Sequence, residues 1–275
     1  MSSAEQGVWV HAVTRDIEPA RLAGMTGVGG GPVRPVRAGG LAAVVSTVDL
    51  AEYGAEPLRR NLEDMSWLES VARAHHGVID AVARLGPVVP ARLATVYLDD
   101  ERVAGTLVEH RRAVADALDR VSGRVEWGVK AYAAPAAANP AGSPGAGARG
   151  AARAGAGGAG RAYLLRRRAQ LTATEDAERT AAEDADRLHG TLRRVAAEVR
   201  RHPPQDGRLS GRSEWMVLNG AYLVDAEHAD EFAESVRGLA PDHPGIRVEL
   251  TGPWPPYSFT ELNLSEPEAA AGVGG

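Results

Sequence analysis

Hydrophobic residues in the first third of the chain form two strand-like runs and then a helical stripe. Residues 8–13 are β-branched and aromatic, and residues 41–48 form a continuous apolar run that suits a central strand. From residue 58 to residue 82, apolar side chains recur every three or four positions. The pattern therefore predicts two strands and an amphipathic helix, with His75 on the buried helix face, one heptad after Leu68.

The next segment repeats this alternation. Residues 88–97 are typical of a third strand, with Pro90 near its start, where a proline is tolerated. Residues 103–121 carry a second helical stripe, and residues 125–132 alternate as a fourth strand. Two helices over one face of a mainly antiparallel sheet predict a ferredoxin-like α+β domain over residues 1–132.

A change in composition then divides the chain. Residues 133–159 are almost entirely Ala, Gly and Pro, which predicts a flexible linker that trypsin cuts at Arg149 or Arg153. Residues 160–263 predict a second α+β domain, and residues 264–275 a disordered tail. The predicted fold class is α+β, with two ferredoxin-like α/β-sandwich modules joined by an Ala/Gly/Pro-rich linker and a long helix opening the second module.

That long helix is predicted from a stripe over residues 171–199, stopped by Pro203 and Pro204. It either covers its own sheet or reaches a partner, and the sequence leaves both interpretations open. Residues 214–225 are the most strand-like run of the chain, and residues 246–250 predict a closing strand.

A proline-rich arm over residues 252–259 follows this closing strand. Its three prolines fix φ and remove three backbone donors, which predicts that the chain does not go on pairing as a central strand here. We interpret the arm as a stiff segment whose aromatic rings, Trp254 and Tyr257 above all, dock onto the folded body. A plain strand exit held by packing is the simpler interpretation.

Five segments, in order, resemble the gas vesicle protein F/L family. The chain differs from the family at residues 92–95, which are RLAT where the family usually has Arg-Phe-Gly-Thr. The resembling segments are NLEDMSWL at 61–68 with His75 beyond it, VPARLATV at 89–96, GRAYLL at 160–165, LNGAYLV at 218–224 and TGPWPPYSF at 251–259.

The resemblance implies a minor component or assembly factor of intracellular, gas-filled protein shells, located in the cytoplasm and on the gas vesicle. Its expected partners are the main shell protein and other accessory proteins, with neither nucleic acid nor membrane as a partner. The candidate structural or interaction residues are Trp67, His75, Arg92, Tyr163, Tyr222, Trp254, Tyr257 and Phe259.

Composition limits the other classes of function. A net charge of −5 argues against a general nucleic-acid binder. The absence of cysteine excludes disulfides, thiol catalysis and thiolate metal sites, and it fits a reducing cytoplasm. We also expect neither a signal peptide nor a membrane span, because no apolar run approaches about 20 residues.

No catalytic motif is present, so we predict neither an enzyme nor a cofactor or metal. The glycine-rich loop at 26–32 lacks the lysine and the helix that a phosphate loop needs. The adjacent His75 and His76 point about 100° apart on a helix, which favours a structural His75 over a metal ligand. The alternative is a small-molecule-binding or enzymatic ferredoxin-like protein, which a cleft shared by His11, His75 and Arg92 would favour.

Overall fold

The chain divides into two units, and the second is inserted into the first. The computed structural model describes residues 5–133, 156–204 and 215–260. The first unit combines Met1–Glu126 with Pro253–Gly275, and the second is Trp127–Gly252. The division therefore falls at residue 126 rather than at the predicted 132, and the proline-rich arm belongs to the N-terminal unit. The predicted trypsin sites and the predicted tail lie outside the described residues. So does the predicted linker, except for its two ends.

The first unit contains one antiparallel sheet and five α-helices among its described residues. The sheet order is β2-β3-β1-β4, and β5 also pairs with β1. The strands are β1 (Gln6–Arg15), β2 (Val33–Ala38), β3 (Leu41–Asp49), β4 (Val88–Pro90) and β5 (Val96–Tyr97). The helices are α1 (Leu50–Tyr53), α2 (Ala55–Asn61), α3 (Met65–Ala83), α4 (Asp100–Glu109) and α5 (Arg111–Val121).

Helices cover both faces of this sheet, which corrects the prediction of two helices on one face. Val10 and Val45 pack with residues of α4 and α5, such as Leu107. On the opposite face, Ala12 and Val44 pack with Ile79 of α3 and its neighbours. Both faces are covered because β1 and β3 are continuous apolar runs, and a strand without polar alternation is buried on both sides.

The two predicted helices are each interrupted once. The stripe over 58–82 is split because Asp64 caps α3 by accepting from Ser66 N at 2.8 Å. The stripe over 103–121 is split at His110, which has φ −95° and ψ 10°. Apolar spacing continues across both breaks, so it could not reveal them.

The predicted third strand is also split, into β4 and β5. Between them the chain turns, with Ala94 at φ 68° and the Thr95 hydroxyl donating to the Arg92 carbonyl at 2.7 Å. Among the described residues, Ala94 alone combines a side chain with a positive φ. A left-handed backbone costs a residue with a Cβ about 1–2 kcal/mol.

Ala94→Gly should therefore stabilise the protein by about 1 kcal/mol, since glycine adopts this conformation without the steric cost. Equilibrium urea unfolding measures the change. Ala72→Gly, in the interior of α3, is the matched control and should destabilise by about 0.5–1 kcal/mol. A loss of stability for Ala94→Gly would show that the positive φ of Ala94 does not strain the backbone.

The second unit carries a sheet in the order β7-β8-β6-β9, in which β7 and β8 pair antiparallel. Its strands are β6 (Arg124–Ala133), β7 (Glu198–Arg201), β8 (Met216–Asp225) and β9 (Ile246–Trp254), and its helices are α6 (Ala156–Leu192) and α7 (Ala229–Leu239). Residues 125–132, predicted as the fourth strand of the first domain, thus lie in the second sheet. Alternation identified the strand but carries no information on which sheet it joins.

The long helix is shifted relative to its prediction. It begins at Ala156, inside the predicted linker, and ends at Leu192 rather than near the prolines. Val199 is a strand residue of β7, which pairs with Tyr222 of β8. Strand β7 is short and mostly charged, so it carries neither an alternating nor a helical signal.

The closing strand is longer than predicted. Strand β9 continues beyond the predicted residues 246–250, through Pro253 to Trp254. The strand can include Pro253 because β9 lies at the edge of its sheet, where a residue without an N–H is tolerated.

Candidate functional site

A cluster of buried rings lies on the α3 side of the first sheet. The Trp9 indole Nε1 donates to His75 Nδ1 at 3.0 Å, and the His75 ring stacks on His11 with centroids 5.3 Å apart. His11 Nε2 lies 3.1 Å from Ser46 Oγ. These four side chains, which we call the histidine cluster, are at most 1% exposed. His75 therefore faces the core, as its spacing predicted.

The hydrogen-bond partners fix the protonation of both imidazoles. An indole can only donate, so His75 accepts at Nδ1 and donates from Nε2 to the Ala91 carbonyl at 3.1 Å. Ser46 Oγ donates to the Val28 carbonyl at 2.9 Å, so it accepts from His11 Nε2. Burial, with a smaller contribution from the His75 imidazole, lowers the pKa of His11 to about 3. Burial lowers the pKa of His75 to about 4, although its hydrogen bond to Ala91 opposes this shift. Both rings are neutral at pH 7.

Local backbone features place these rings together. The pairing of β1 with β3 shifts register between Val10 and Ala12, so His11 is the extra residue of a β-bulge. A Cβ at Gly27 would lie 2.5 Å from Ser46 Cβ and 2.7 Å from His11 Nε2, so only glycine fits there. All four side chains of the cluster are buried, so none of them is open to solvent.

The proline-rich arm reaches the same helix. The Tyr257 hydroxyl lies 2.6 Å from Nδ1 of His76, on the exposed side of α3. Burial raises the pKa of Tyr257, and the negative charges of Asp80 and Glu126 raise it further, so the phenol stays protonated. The arm thus contacts the helix that carries His75.

Glu126 and Phe259 hold the rest of the arm to the first unit. The buried Glu126 carboxylate accepts from Ser258 N at 2.7 Å and from Ser258 Oγ at 2.6 Å. Arg120 Nη1 donates to the Phe259 carbonyl at 3.3 Å, and the Phe259 ring is fully buried. Trp254, in contrast, is 51% exposed. The prediction that Trp254 docks is therefore wrong.

Tyr222 is a buried tyrosine of the second unit. It is fully buried in β8, its ring lies 5.6 Å from that of Phe232, and its hydroxyl lies 2.8 Å from His189 Nδ1. Burial raises the pKa of Tyr222, so the phenol donates to the imidazole. A Cβ at Gly220 would lie 2.8 Å from the Tyr222 ring. The glycine that the sequence marked as a bulge or a close approach is therefore a close approach.

Asp184 ties α6 to the loop before β9. Its carboxylate accepts from Gly245 N at 2.9 Å and from Arg187 at 2.6 Å, and it lies 3.4 Å from His243 Nδ1. Burial alone would raise the pKa of Asp184, but the hydrogen bonds from Arg187, Gly245 and His243 outweigh it and lower the pKa. The sequence predicted that Asp184, like its neighbour Glu183, lies on a solvated face of the helix, and this prediction is wrong because Asp184 is only 3% exposed.

Asp184→Ala should destabilise the second unit by about 1–3 kcal/mol, because it leaves the partly buried Gly245 N–H without its acceptor. Asp186→Ala is the matched control. Asp186 lies on the exposed side of the same helix, pairs with Arg201 at 3.1 Å, and should change stability by at most about 1 kcal/mol. Chemical denaturation of both variants decides, and equal losses would contradict the anchoring role.

The remaining candidates lie apart from one another. Trp67 is half-buried and donates from Nε1 to Glu52 at 2.9 Å, while Arg92 is exposed. Tyr163 lies in α6, with its side chain outside the described part of the chain. His11 and His75 come together but are sealed, and Arg92 shares no cleft with them among the described residues. Glu126 and Ser258 were missed, since nothing in their sequence marks them as buried, and Asp184 was wrongly expected on a solvated helix face.

Within the described residues, no three His, Cys, Asp or Glu side chains are grouped so that they could hold a metal. An open groove along α3 is lined by Ser66, Glu69, Ser70, Arg73 and Ala74 and gathers no further polar group. No helix in the described ranges is long and apolar enough to cross a membrane.

Solved structures define the class of the fold. The chain is similar to the crystal structure of the gas vesicle protein GvpF from Anabaena sp. PCC7120, with a TM-score of 0.65, 17% identity and coverage of 94% of this chain and 97% of that one. The GvpF structure from Microcystis aeruginosa gives a TM-score of 0.61 at 17% identity, covering 93% and 99%. The fold is thus a mixed α/β fold shared with gas vesicle proteins.

Sequence relatives are more specific. Gas vesicle protein L of Streptomyces sp. (strain CB03234) is 44% identical over 261 residues, which cover 94% of this chain and 95% of that protein. Gas vesicle protein F of the same strain is 27% identical over 263 residues, which cover 92% and 99%. The family described as Gas vesicle synthesis protein GvpL/GvpF matches residues 7–261. The chain belongs to the GvpL/GvpF family.

Proposed function

We propose that this protein is an accessory or structural protein of gas vesicles, a minor component or assembly factor that contacts the main shell protein during vesicle formation. The carrying observation is the 44% identity to gas vesicle protein L over 94% of the chain. Other accessory proteins are further partners, and the cytoplasm and the vesicle are its location. Neither nucleic acid, membrane, cofactor nor metal takes part.

The burial of the candidate residues supports two different roles. His75, Tyr222 and Phe259 are at most 1% exposed, so they act through the fold. Trp254 and Arg92 are exposed, and they are the candidates that a partner can touch. A large exposed aromatic ring is the kind of residue that dominates many protein interfaces.

The enzymatic alternative has weaker support. It needs a cleft with convergent polar groups, whereas the two histidines that converge are sealed and neutral. A ferredoxin-like plan stays a proposal for the second unit, where α6 and α7 both contact β8 and each other.

Complementation tests the function. The host is a gas vesicle producer from which the genes of the GvpL/GvpF family have been deleted. Supplying this chain together with the other deleted family members should restore vesicles in electron micrographs. Omitting this chain should not. Restored vesicles without the chain would overturn the proposal.

Trp254→Ala tests the exposed surface. We expect a clear drop in vesicle number and in co-purification with a tagged shell protein, because the variant removes an accessible anchor while the fold is kept. Val108→Ala, at another exposed apolar residue (59% exposed), is the control and should leave both unchanged. Unchanged vesicles and co-purification in Trp254→Ala would remove this residue from the interface.

A further inference from the structure

Among the side chains of α6 that the structure describes, the buried ones lie in its C-terminal part. Ala181, Ala185, Leu188 and Leu192 are buried there, next to β8 and α7. Between residues 161 and 180, every described side chain is exposed except Ala177, which is half-buried. This projecting part is about 30 Å long at about 1.5 Å per residue.

The projecting part carries exposed leucines. Leu164 and Leu171 are 66% and 56% exposed and one heptad apart, so they share a face, and the adjacent Leu165 is 60% exposed. An isolated helix in water gains little from such residues, whereas a facing helix would bury them.

Charge along the same part forms an arginine block and an acidic block, and Arg179, which pairs with Asp176 at 2.8 Å, follows the acids. All charged residues between positions 161 and 174 are arginines, at 161, 166, 167 and 168. The next three charged residues are the acids Glu175, Asp176 and Glu178. Leu171 lies between the blocks, three residues after Arg168 and four before Glu175.

This arrangement is self-complementary in one orientation only. When two copies pair antiparallel about a twofold axis near Leu171, the arginine block of each faces the acidic block of the other. A parallel pair would place arginine against arginine. An antiparallel pair is isologous, the usual geometry of a symmetric dimer. Opposite charges so placed fix orientation and register.

We propose that the projecting part of α6 binds a second copy of this chain, antiparallel, with the Leu171 side chains near the twofold axis. The interface is small and its charges are exposed, so the pairing is reversible and weakens as salt rises. The proposal does not depend on the gas vesicle function, and it is tested on the purified full-length chain.

Charge reversal gives the first test. Arg167→Glu with Arg168→Glu makes the segment acidic, and Glu175→Arg with Glu178→Arg makes it basic. Each variant alone should self-associate at least about tenfold more weakly than the native chain in sedimentation velocity, and a mixture of the two should restore a 1:1 complex. Circular dichroism checks that the helix is kept.

A single cysteine gives the second test, because the chain has none of its own. Leu171→Cys should form a disulfide-linked dimer under mild oxidation. Val195→Cys, at a 56% exposed site beyond the helix, should form far less. A native chain that stays monomeric over the whole concentration series, charge variants that associate like the native chain, or equal cross-linking at both cysteines would overturn the proposal. In those cases the segment serves a different protein or none.

Discussion

Phe259→Ala should lower the free energy of unfolding of the first unit by about 3–5 kcal/mol, the usual cost of deleting a buried aromatic ring. The ring is fully buried, although it comes from the far end of the chain. A domain has only about 5–15 kcal/mol in total, so the variant should melt at a clearly lower temperature.

Trp254→Ala is the matched control, since it removes a larger ring from the same arm. Trp254 is 51% exposed, so its removal should change stability by less than about 0.5 kcal/mol. Comparing the two variants distinguishes the loss of a buried ring from the loss of an exposed ring in the same arm. Equal losses in the two variants, or none in Phe259→Ala, would show that the arm does not complete the first unit.

The arm also shows where sequence reasoning reached its limit. Three prolines and three aromatic rings indicated a stiff segment that packs, and Tyr257 and Phe259 do pack. Which ring is buried depends on a surface assembled from distant residues such as Glu126 and Arg120. No local pattern contains that information, and the largest ring was the wrong choice.

The sheets show the same division. Continuous apolar runs identified β1 and β3, alternation identified β6, and a strand-like composition identified β8, because the local sequence pattern reflects burial. The sheet that β6 joins depends on long-range pairing, so its assignment to the first domain was wrong. The turn at Ala94 was hidden as well, since alanine gives no signal for a positive φ.

Among the candidate residues, His75 was placed correctly because helical spacing defines a buried face. Its partners Trp9 and His11 come from β1, where residues two positions apart share a face. Which strand residues meet His75 depends on the tertiary packing, so no local pattern could predict the histidine cluster.

The histidine cluster leads to a strong pH dependence. In the unfolded chain a histidine has a pKa of about 6.5. In the folded protein, burial first and the neighbouring imidazole second lower the pKa of His11 to about 3. Burial likewise lowers that of His75 to about 4. Between these values, the unfolded chain binds protons that the folded protein does not.

Stability should therefore be complete above about pH 6.5 and fall as the pH drops toward 4. Each histidine contributes a slope of up to about 1.4 kcal/mol per pH unit, so the cluster contributes nearly 3. Below about pH 3 the contribution of these two groups to the slope ends, because the folded state is protonated too. Urea unfolding followed by tryptophan fluorescence between pH 7 and 4.5 gives the slope.

His11→Gln isolates the effect from the carboxylates that titrate in the same range. Glutamine can still donate an N–H to Ser46 Oγ but cannot take up a proton, so the variant should lose about half of the histidine slope, about 1.4 kcal/mol per pH unit. His228→Gln is the control at an exposed histidine and should keep the native slope. Parallel pH profiles for the native chain and His11→Gln would contradict this prediction. They would mean that His11 is protonated in the folded protein, which its buried site disfavours.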